Sequence, residues 1–398
     1  MKFKITIIKF KQLIFPISIV MFTLLIVIFS KQSLFAAKQG LQLWAITVVP
    51  SLFPFFVATE LLTNTNIIPQ LSKLLNKFMK PLFNIPGCGA FPLLMGILSG
   101  YPVGSKIVAN LRETNQCSKI ECERLLSFTN NSGPLFIIGA VGVGMFGDTR
   151  TGFLLFSTHL LACITVGILF RFYKKNNIST TSVVNLSNKS SPHSQTYKTA
   201  TFNSLGELLS TSIKNSANSI IMIGGFIVLA SVGISFLKTL NISNVLHLFN
   251  LDTAILDSII TGIIELTNGL KLISSIHIKQ ISTLVIIASF LLGFGGLTVA
   301  LQVLSIISKT DLSIKPYFIG KILQAVFASI YTYILLTYTN FFNLDLVPTF
   351  GYSYSSHFGQ YNFYSIKLHS EATQILLILT LVTISIVYIF ISNKKILH

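Results

Sequence analysis

The chain has 398 residues, 52% of them hydrophobic and only 10% charged, with a mean hydropathy of +0.73. A soluble domain carries about 25% charged residues, so the composition excludes an ordinary soluble domain and implies a chain that crosses the membrane several times. The formal net charge of +17 does not call for nucleic acid, because the basic residues stand in loops beside apolar runs, as the positive-inside rule requires.

The first predicted span covers about residues 13–29 and follows Lys2, Lys4, Lys9 and Lys11. It lacks a small-residue cleavage site after Phe29, so it reads as an uncleaved span. The second span, about 41–62, carries Trp44, Pro50 and Pro54. Residues 67–83 are amphipathic, with Lys73, Lys77 and Lys80 beside an apolar stripe, and are expected at the interface.

Residues 94–112, LMGILSGYPVGSKIVANLR, are apolar but broken at Ser99-Gly100-Tyr101-Pro102-Val103-Gly104-Ser105-Lys106. A helix of about nine residues rises about 14 Å, half of the ~30 Å hydrocarbon core. The pattern predicts a re-entrant hairpin that descends over 90–98, turns in the glycine-rich tip and returns over 105–112. The third span, about 125–146, is interrupted at once by Thr129-Asn130-Asn131-Ser132-Gly133-Pro134. Irregular backbone at membrane depth is tolerated where it lines a cavity or is buried in protein, and such interrupted segments are the best sequence pointer to a transporter's binding site. The fourth span is about 151–172.

Residues 174–203 are rich in Ser, Thr, Asn and Lys and read as a flexible linker between repeats. The fifth span is about 217–237. A second broken run follows at 259–279, IITGIIELTNGLKLISSIHIK, with its break at Glu265-Leu266-Thr267-Asn268-Gly269. The sixth span, about 281–307, is broken at Gly293-Phe294-Gly295-Gly296, the seventh is about 317–338, and a polar, aromatic loop over 339–370 leads to the eighth at about 373–391. An offset of 165 pairs Gly104 with Gly269, Lys106 with Lys271, and the 129–133 break with 294–298.

The fold expected is therefore an all-α polytopic membrane protein with two inverted repeats, each holding a re-entrant helical hairpin and a broken transmembrane helix. Its parts are an N-terminal span (1–40), a first repeat (41–172), a cytoplasmic linker (173–204), a second repeat (205–340), and the polar loop with a last span (341–398). Eight crossings place both termini on one side, and the Lys and Arg count is then 21 inside against 6 outside, with Lys321 counted inside. That asymmetry predicts cytoplasmic termini. Three crossings per repeat invert the second repeat, so the two tips are expected to meet near the midplane.

Candidate ligand groups follow from the breaks. Lys106 and Lys271 lie just past the tips, and a lysine at membrane depth marks function, although each could snorkel to a headgroup. Glu265 is a carboxyl at hairpin depth that could meet a substrate hydroxyl, carry a coupling proton or cation, or pair with a lysine. Thr129, Asn130, Asn131 and Ser132 offer donors and acceptors where a helix opens, and Ser99, Tyr101, Ser105, Thr267 and Asn268 complete the polar groups of the tips. Glu60, Glu121, Glu123 and Asp148 read as solvated, His159 as a hydrogen-bonded structural residue, and Cys88, Cys117, Cys122 and Cys163 as buried or unpaired thiols. No nucleophile–base arrangement, Walker loop or metal cluster stands out, so neither an enzyme, nor an ATP-driven pump, nor a cofactor is expected. The expected partners are a small anionic substrate and the lipid bilayer, with no nucleic acid; assembly into a homo-oligomer is left open.

The stretches 44–62, 81–106 and 121–144 carry a resemblance. WAITVVPSLFPFFVATELL, the SGYP-x-G-x-K tip and the SFTN-x-S-x-P-LFI break resemble the sporulation branch of the nucleoside-recognition, or Gate-domain, membrane proteins. The resemblance is good over about 40–172 and looser over 205–340. It implies movement of dipicolinic acid from the mother cell across the outer forespore membrane, and a core similar to that of concentrative nucleoside transporters. Lys106 and Lys271 would then each meet one carboxylate of the dianion, with Tyr101 or Phe128 against its ring. A nucleoside or nucleobase transporter, and a non-transporting membrane scaffold, are the alternatives.

Overall fold

The computed structural model describes residues 16–63, 75, 77–174, 205–239, 253–276 and 281–338. Nearly all of the expected linker, the 339–370 loop and the eighth span lie outside the described residues. Among those described, every regular element is a helix: α1 (Pro16–Ile28), α2 (Ser30–Leu43), α3 (Val49–Thr63), α4 (Lys77–Phe83), α5 (Ala90–Ser99), α6 (Val103–Glu113), α7 (Lys119–Leu126), α8 (Thr149–Phe170), α9 (Leu205–Thr239), α10 (Thr253–Ile264), α11 (Leu266–Ser274), α12 (Ile281–Phe294), α13 (Leu297–Ile307) and α14 (Lys315–Tyr338). Two π-helical stretches, Trp44–Val48 and Leu135–Met145, join them. Among the described residues four helices are long and apolar enough to cross a membrane, or up to six if each of two sharply bent pairs counts as one span.

The described residues divide into two compact units. The first holds 16–63, 205–239, 253–276 and 295–302. Here the expected connector between the first two spans is instead helix α2. Its buried residues Ser33, Ala36, Gly40 and Leu43 recur at helical spacing, and all but Leu43 are small, which lets α9 approach closely. A Cβ on Gly40 would stand 2.7 Å from Ser231 Oγ and 3.1 Å from Val228 Cα. The Trp44 indole donates to the Ile220 carbonyl at 3.0 Å, and Leu43, Val48, Phe56, Ile220 and Ile227 form the adjoining apolar core. Lys31 and Lys38 depress the hydropathy of this segment, which hid its helix. Helices α10 and α11 form a hairpin broken at Glu265 alone.

The second unit holds 77–174, 281–294 and 303–338. Helices α5 and α6 form its hairpin, with Gly100 at φ +81° in the tip, a conformation that glycine adopts without strain. Both hairpin arms press on the Thr129 carbonyl, one through Gly96 and the other through Gly104. Helix α14 packs on α8 and α12, where Thr332 Oγ1 donates to Ser289 Oγ at 2.8 Å or Thr158 Oγ1 at 3.0 Å. These buried hydroxyls stitch three apolar helices together.

Two charged groups near α7 are buried, not solvated as expected for Glu123. Glu123 takes Lys174 Nζ at 3.2 Å, Tyr173 Oη at 3.1 Å and the Ser313 amide at 3.3 Å. Arg124 spends its guanidinium on carbonyls: Asn84 at 2.8 Å, and Tyr173 at 2.6 and 3.1 Å. These partners are brought by the end of α4 and the end of α8, so the segment folds around the cation. Arg124→Met would orphan both carbonyls, each worth about 1–3 kcal/mol when buried. The expected result is a clear fall in the denaturation midpoint in mixed micelles, which an unchanged midpoint would contradict. At the surface, Arg112 grips Asp311 through two bonds of 2.7 and 3.0 Å, and this guanidinium holds the Asp311 carboxyl below the usual carboxylate range.

Candidate functional site

The opened stretch after α7 is built by its own side chains. Ser127 Oγ donates to the Arg124 carbonyl at 2.7 Å, Thr129 Oγ1 to the Leu125 carbonyl at 2.8 Å, and Asn131 Nδ2 to the Phe128 carbonyl at 2.7 Å. A helix end in an apolar setting must find such partners, and Pro134 supplies no amide to continue the helix. Thr129 is thus committed to the helix end. Ser105 is committed similarly, to the Pro102 carbonyl at 2.7 Å.

Around this opening the second unit gathers a buried polar network. Lys321, on α14, donates from Nζ to Gln324 Oε1 at 2.8 Å. Gln324 Nε2 donates to Asn131 Oδ1 at 2.9 Å and stands 3.3 Å from His159 Nε2. Asn131 Nδ2 also approaches Cys163 Sγ at 3.3 Å, and that thiol donates to the Phe128 carbonyl at 3.0 Å. Lys321 is 1% exposed. Its Nζ lies 5.6 Å from the ring centre of Tyr101, in the hairpin tip, and 6.0 Å from that of Tyr317, within cation–π range. Tyr101 Oη donates to the Leu292 carbonyl at 3.3 Å.

Several buried polar atoms in this unit have no hydrogen-bond partner among the described residues: Ser99 Oγ, both amide atoms of Asn130, Ser132 Oγ, His159 Nδ1 and Tyr317 Oη. The Tyr317 hydroxyl stands beside Asn130, and Tyr101 beside Ser132. Buried polar groups are normally satisfied. A set of unpartnered ones beside a buried ammonium is what a polar anionic ligand would complete.

The sequence-predicted residues divide accordingly. Tyr101, Asn130, Asn131 and Ser132 stand around this network, and Ser99 is buried at the end of α5. Lys106 is exposed on α6, and Lys271 is exposed on α11 of the other unit. Glu265, Thr267 and Asn268 also belong to the first unit. There Glu265 caps α11, accepting from the Thr267 amide at 3.1 Å and the Asn268 amide at 2.7 Å, while Asn268 Nδ2 donates to Ser231 Oγ at 2.9 Å. Sequence reasoning missed Lys321, Gln324, Tyr317 and Cys163, and gave His159 a structural role only. The signal for Lys321 was there: a lysine at the fifth position of the predicted span 317–338, with Gln324 on the same face three residues on.

These features define a polytopic helical membrane protein with a buried, cation-bearing polar site at a helix break. Residues 45–175 match the family described as Gate, nucleoside recognition. The chain is 40% identical over 321 residues to the sporulation integral membrane protein YlbJ of Bacillus subtilis strain 168, covering 76% of this chain and 77% of that protein. The chain belongs to the YlbJ family. No solved structure matches it.

Proposed function

We propose that the chain is a transporter that moves a small aromatic dicarboxylate, dipicolinic acid, across the outer forespore membrane during sporulation, with no covalent step. The observation that carries this reading is Lys321: a buried cation within cation–π range of two tyrosine rings, with a neutral amide as its hydrogen-bond partner, those rings standing next to Asn130 and Ser132, whose donors and acceptors are unpartnered among the described residues. An aromatic carboxylate meets each of these groups with its complement.

The reading includes two inverted repeats, with α5–α6 and α10–α11 as re-entrant hairpins. In its favour, α5 and α10 end 165 residues apart, at Ser99 and Ile264. His159 and Gln324, also 165 apart, lie against one another. Equivalent positions of a two-fold pair touch only near its axis. Each hairpin end also packs on the break of the following helix: Gly100 against Gly133, and Leu266 against Gly296. Both termini are placed on the mother-cell side, since removing Lys321 from the cytoplasmic set still leaves 20 basic residues against 6.

A nucleoside is the second reading, favoured by the name of the matching family. Uptake into proteoliposomes separates them. Saturable flux of dipicolinate supports the first reading and nucleoside flux the second. Flux of neither overturns both in favour of a non-transporting scaffold.

A further inference from the structure

We propose that this site takes its anion with one net negative charge: a carboxylate against Lys321 Nζ and a neutral hydrogen-bonding group at Asn130. The proposal deepens the transport reading and rests on it.

The polarity of the network carries the argument. An ammonium only donates, so the Gln324 atom that Lys321 meets is the amide oxygen. Gln324 Nε2 then faces Asn131 Oδ1 and His159 Nε2. An amide nitrogen also only donates, so His159 Nε2 presents its lone pair. The imidazole is therefore neutral, with its proton on Nδ1. Asn131 is fixed in the same sense, because its Nδ2 donates to the Phe128 carbonyl.

The ionisable groups facing Lys321 are Tyr101 from the tip, Tyr317 from its own helix, and His159 and Cys163 from α8. Helix α12 and the 127–134 stretch contain no ionisable side chain. Arg124 is engaged elsewhere by the Asn84 and Tyr173 carbonyls. On α7, which also packs on α14, the buried Glu123 is held by Lys174, Tyr173 and the Ser313 amide, so among the described residues no carboxylate faces Lys321 and the site's fixed charge is that of Lys321.

A dianion against one buried cation leaves a net charge in the interior, which is costly. A dicarboxylate that keeps one proton does not. Asn130 is 0% exposed, and although the Tyr317 hydroxyl stands beside it, neither its amide oxygen nor its amide nitrogen meets hydrogen-bond geometry with any described residue. That side-by-side acceptor and donor matches the O–H and C=O of a carboxylic acid, or the N–H and C=O of a carboxamide. The substrate thus enters as its singly protonated form, which is equivalent to moving one proton with each dianion.

The test measures binding of three probes to the purified full-length protein in nanodiscs, between about pH 5.5 and about pH 8. The probes are pyridine-2,6-dicarboxylate, 6-carbamoylpyridine-2-carboxylate with one permanent charge, and the neutral pyridine-2,6-dicarboxamide. The monoamide keeps one charge throughout and is the reference, because any titration within the site acts on both probes alike; it is expected to bind at least as tightly as the dicarboxylate at the upper end. Relative to the monoamide, the dicarboxylate should tighten by about tenfold for each unit the pH falls while its dianion predominates. Lys321→Gln should abolish the preference for the monoamide over the diamide. A ratio of dicarboxylate to monoamide affinity that is flat with pH and favours the dicarboxylate would overturn the inference and leave the transport reading standing. Binding of none of the three would overturn both.

Discussion

Lys321→Met is expected to weaken pyridine-2,6-dicarboxylate binding about ten- to a hundredfold. The substitution keeps the length of the side chain and removes its charge. The loss is that of a hydrogen bond to a charged group, about 1.5–3 kcal/mol, which converts to that range of affinity. The same change should not unfold the protein. A buried ammonium facing a neutral amide is costly to hold, which offsets the cost of leaving the buried Gln324 Oε1 unpaired, about 1–3 kcal/mol. Lost binding with an unchanged or raised denaturation midpoint would mark Lys321 as a ligand group and not a structural one. Lys106→Met and Lys271→Met, at exposed positions, are expected to leave binding little changed. Equal loss at Lys106 would move the anion contact to the hairpin arm.

Gly104→Ala is expected to prevent folding of the second unit. Its Cβ would fall inside the Thr129 carbonyl, and Gly96 meets that same carbonyl from the other arm. The obstacle is backbone on both sides, so no side-chain rotation relieves it. Overpacking typically costs about 1–3 kcal/mol where neighbours can shift, and here it exceeds that because they cannot. The readout is the yield of monodisperse protein after extraction. Gly225→Ala is the control, because a Cβ there meets nothing within 4 Å. It should express normally and gain stability, up to about 1 kcal/mol from helix propensity. Normal yield of Gly104→Ala would refute the close packing of the hairpin on the helix break.

The hairpins and breaks were legible because glycine and proline interrupt apolar runs in a way no spanning helix requires. The tip at Gly100 falls where the sequence put it, and the opening expected over 129–134 begins two residues earlier, where α7 ends at Leu126. The second hairpin begins six residues earlier than expected, because Thr253 to Ser258 carry too many polar groups to read as apolar helix. Helix α2 was hidden for a related reason: its small residues pack on α9, but its lysines and glutamines mask the stripe. The buried polar network was the least legible part. Asn130 and Asn131 announced themselves by adjacency, whereas Lys321 and Gln324 on α14 and His159 on α8 come from helices far apart in sequence. A lysine near a span end reads as an interfacial anchor until packing shows which face it turns inward. Thr129 and Ser105 donate to backbone carbonyls at the breaks, since polar side chains at a helix break are needed first to satisfy its own carbonyls.

The most direct measurement of the central claim is a cryo-electron microscopy map of the full-length protein with pyridine-2,6-dicarboxylate bound. The account predicts planar density in the second unit, with one carboxylate about 3 Å from Lys321 Nζ, the other carboxyl group against the Asn130 amide, and the ring beside Tyr101 and Tyr317. Ligand density held by Lys106 or Lys271, with Lys321 still bonded only within its own network, would contradict it.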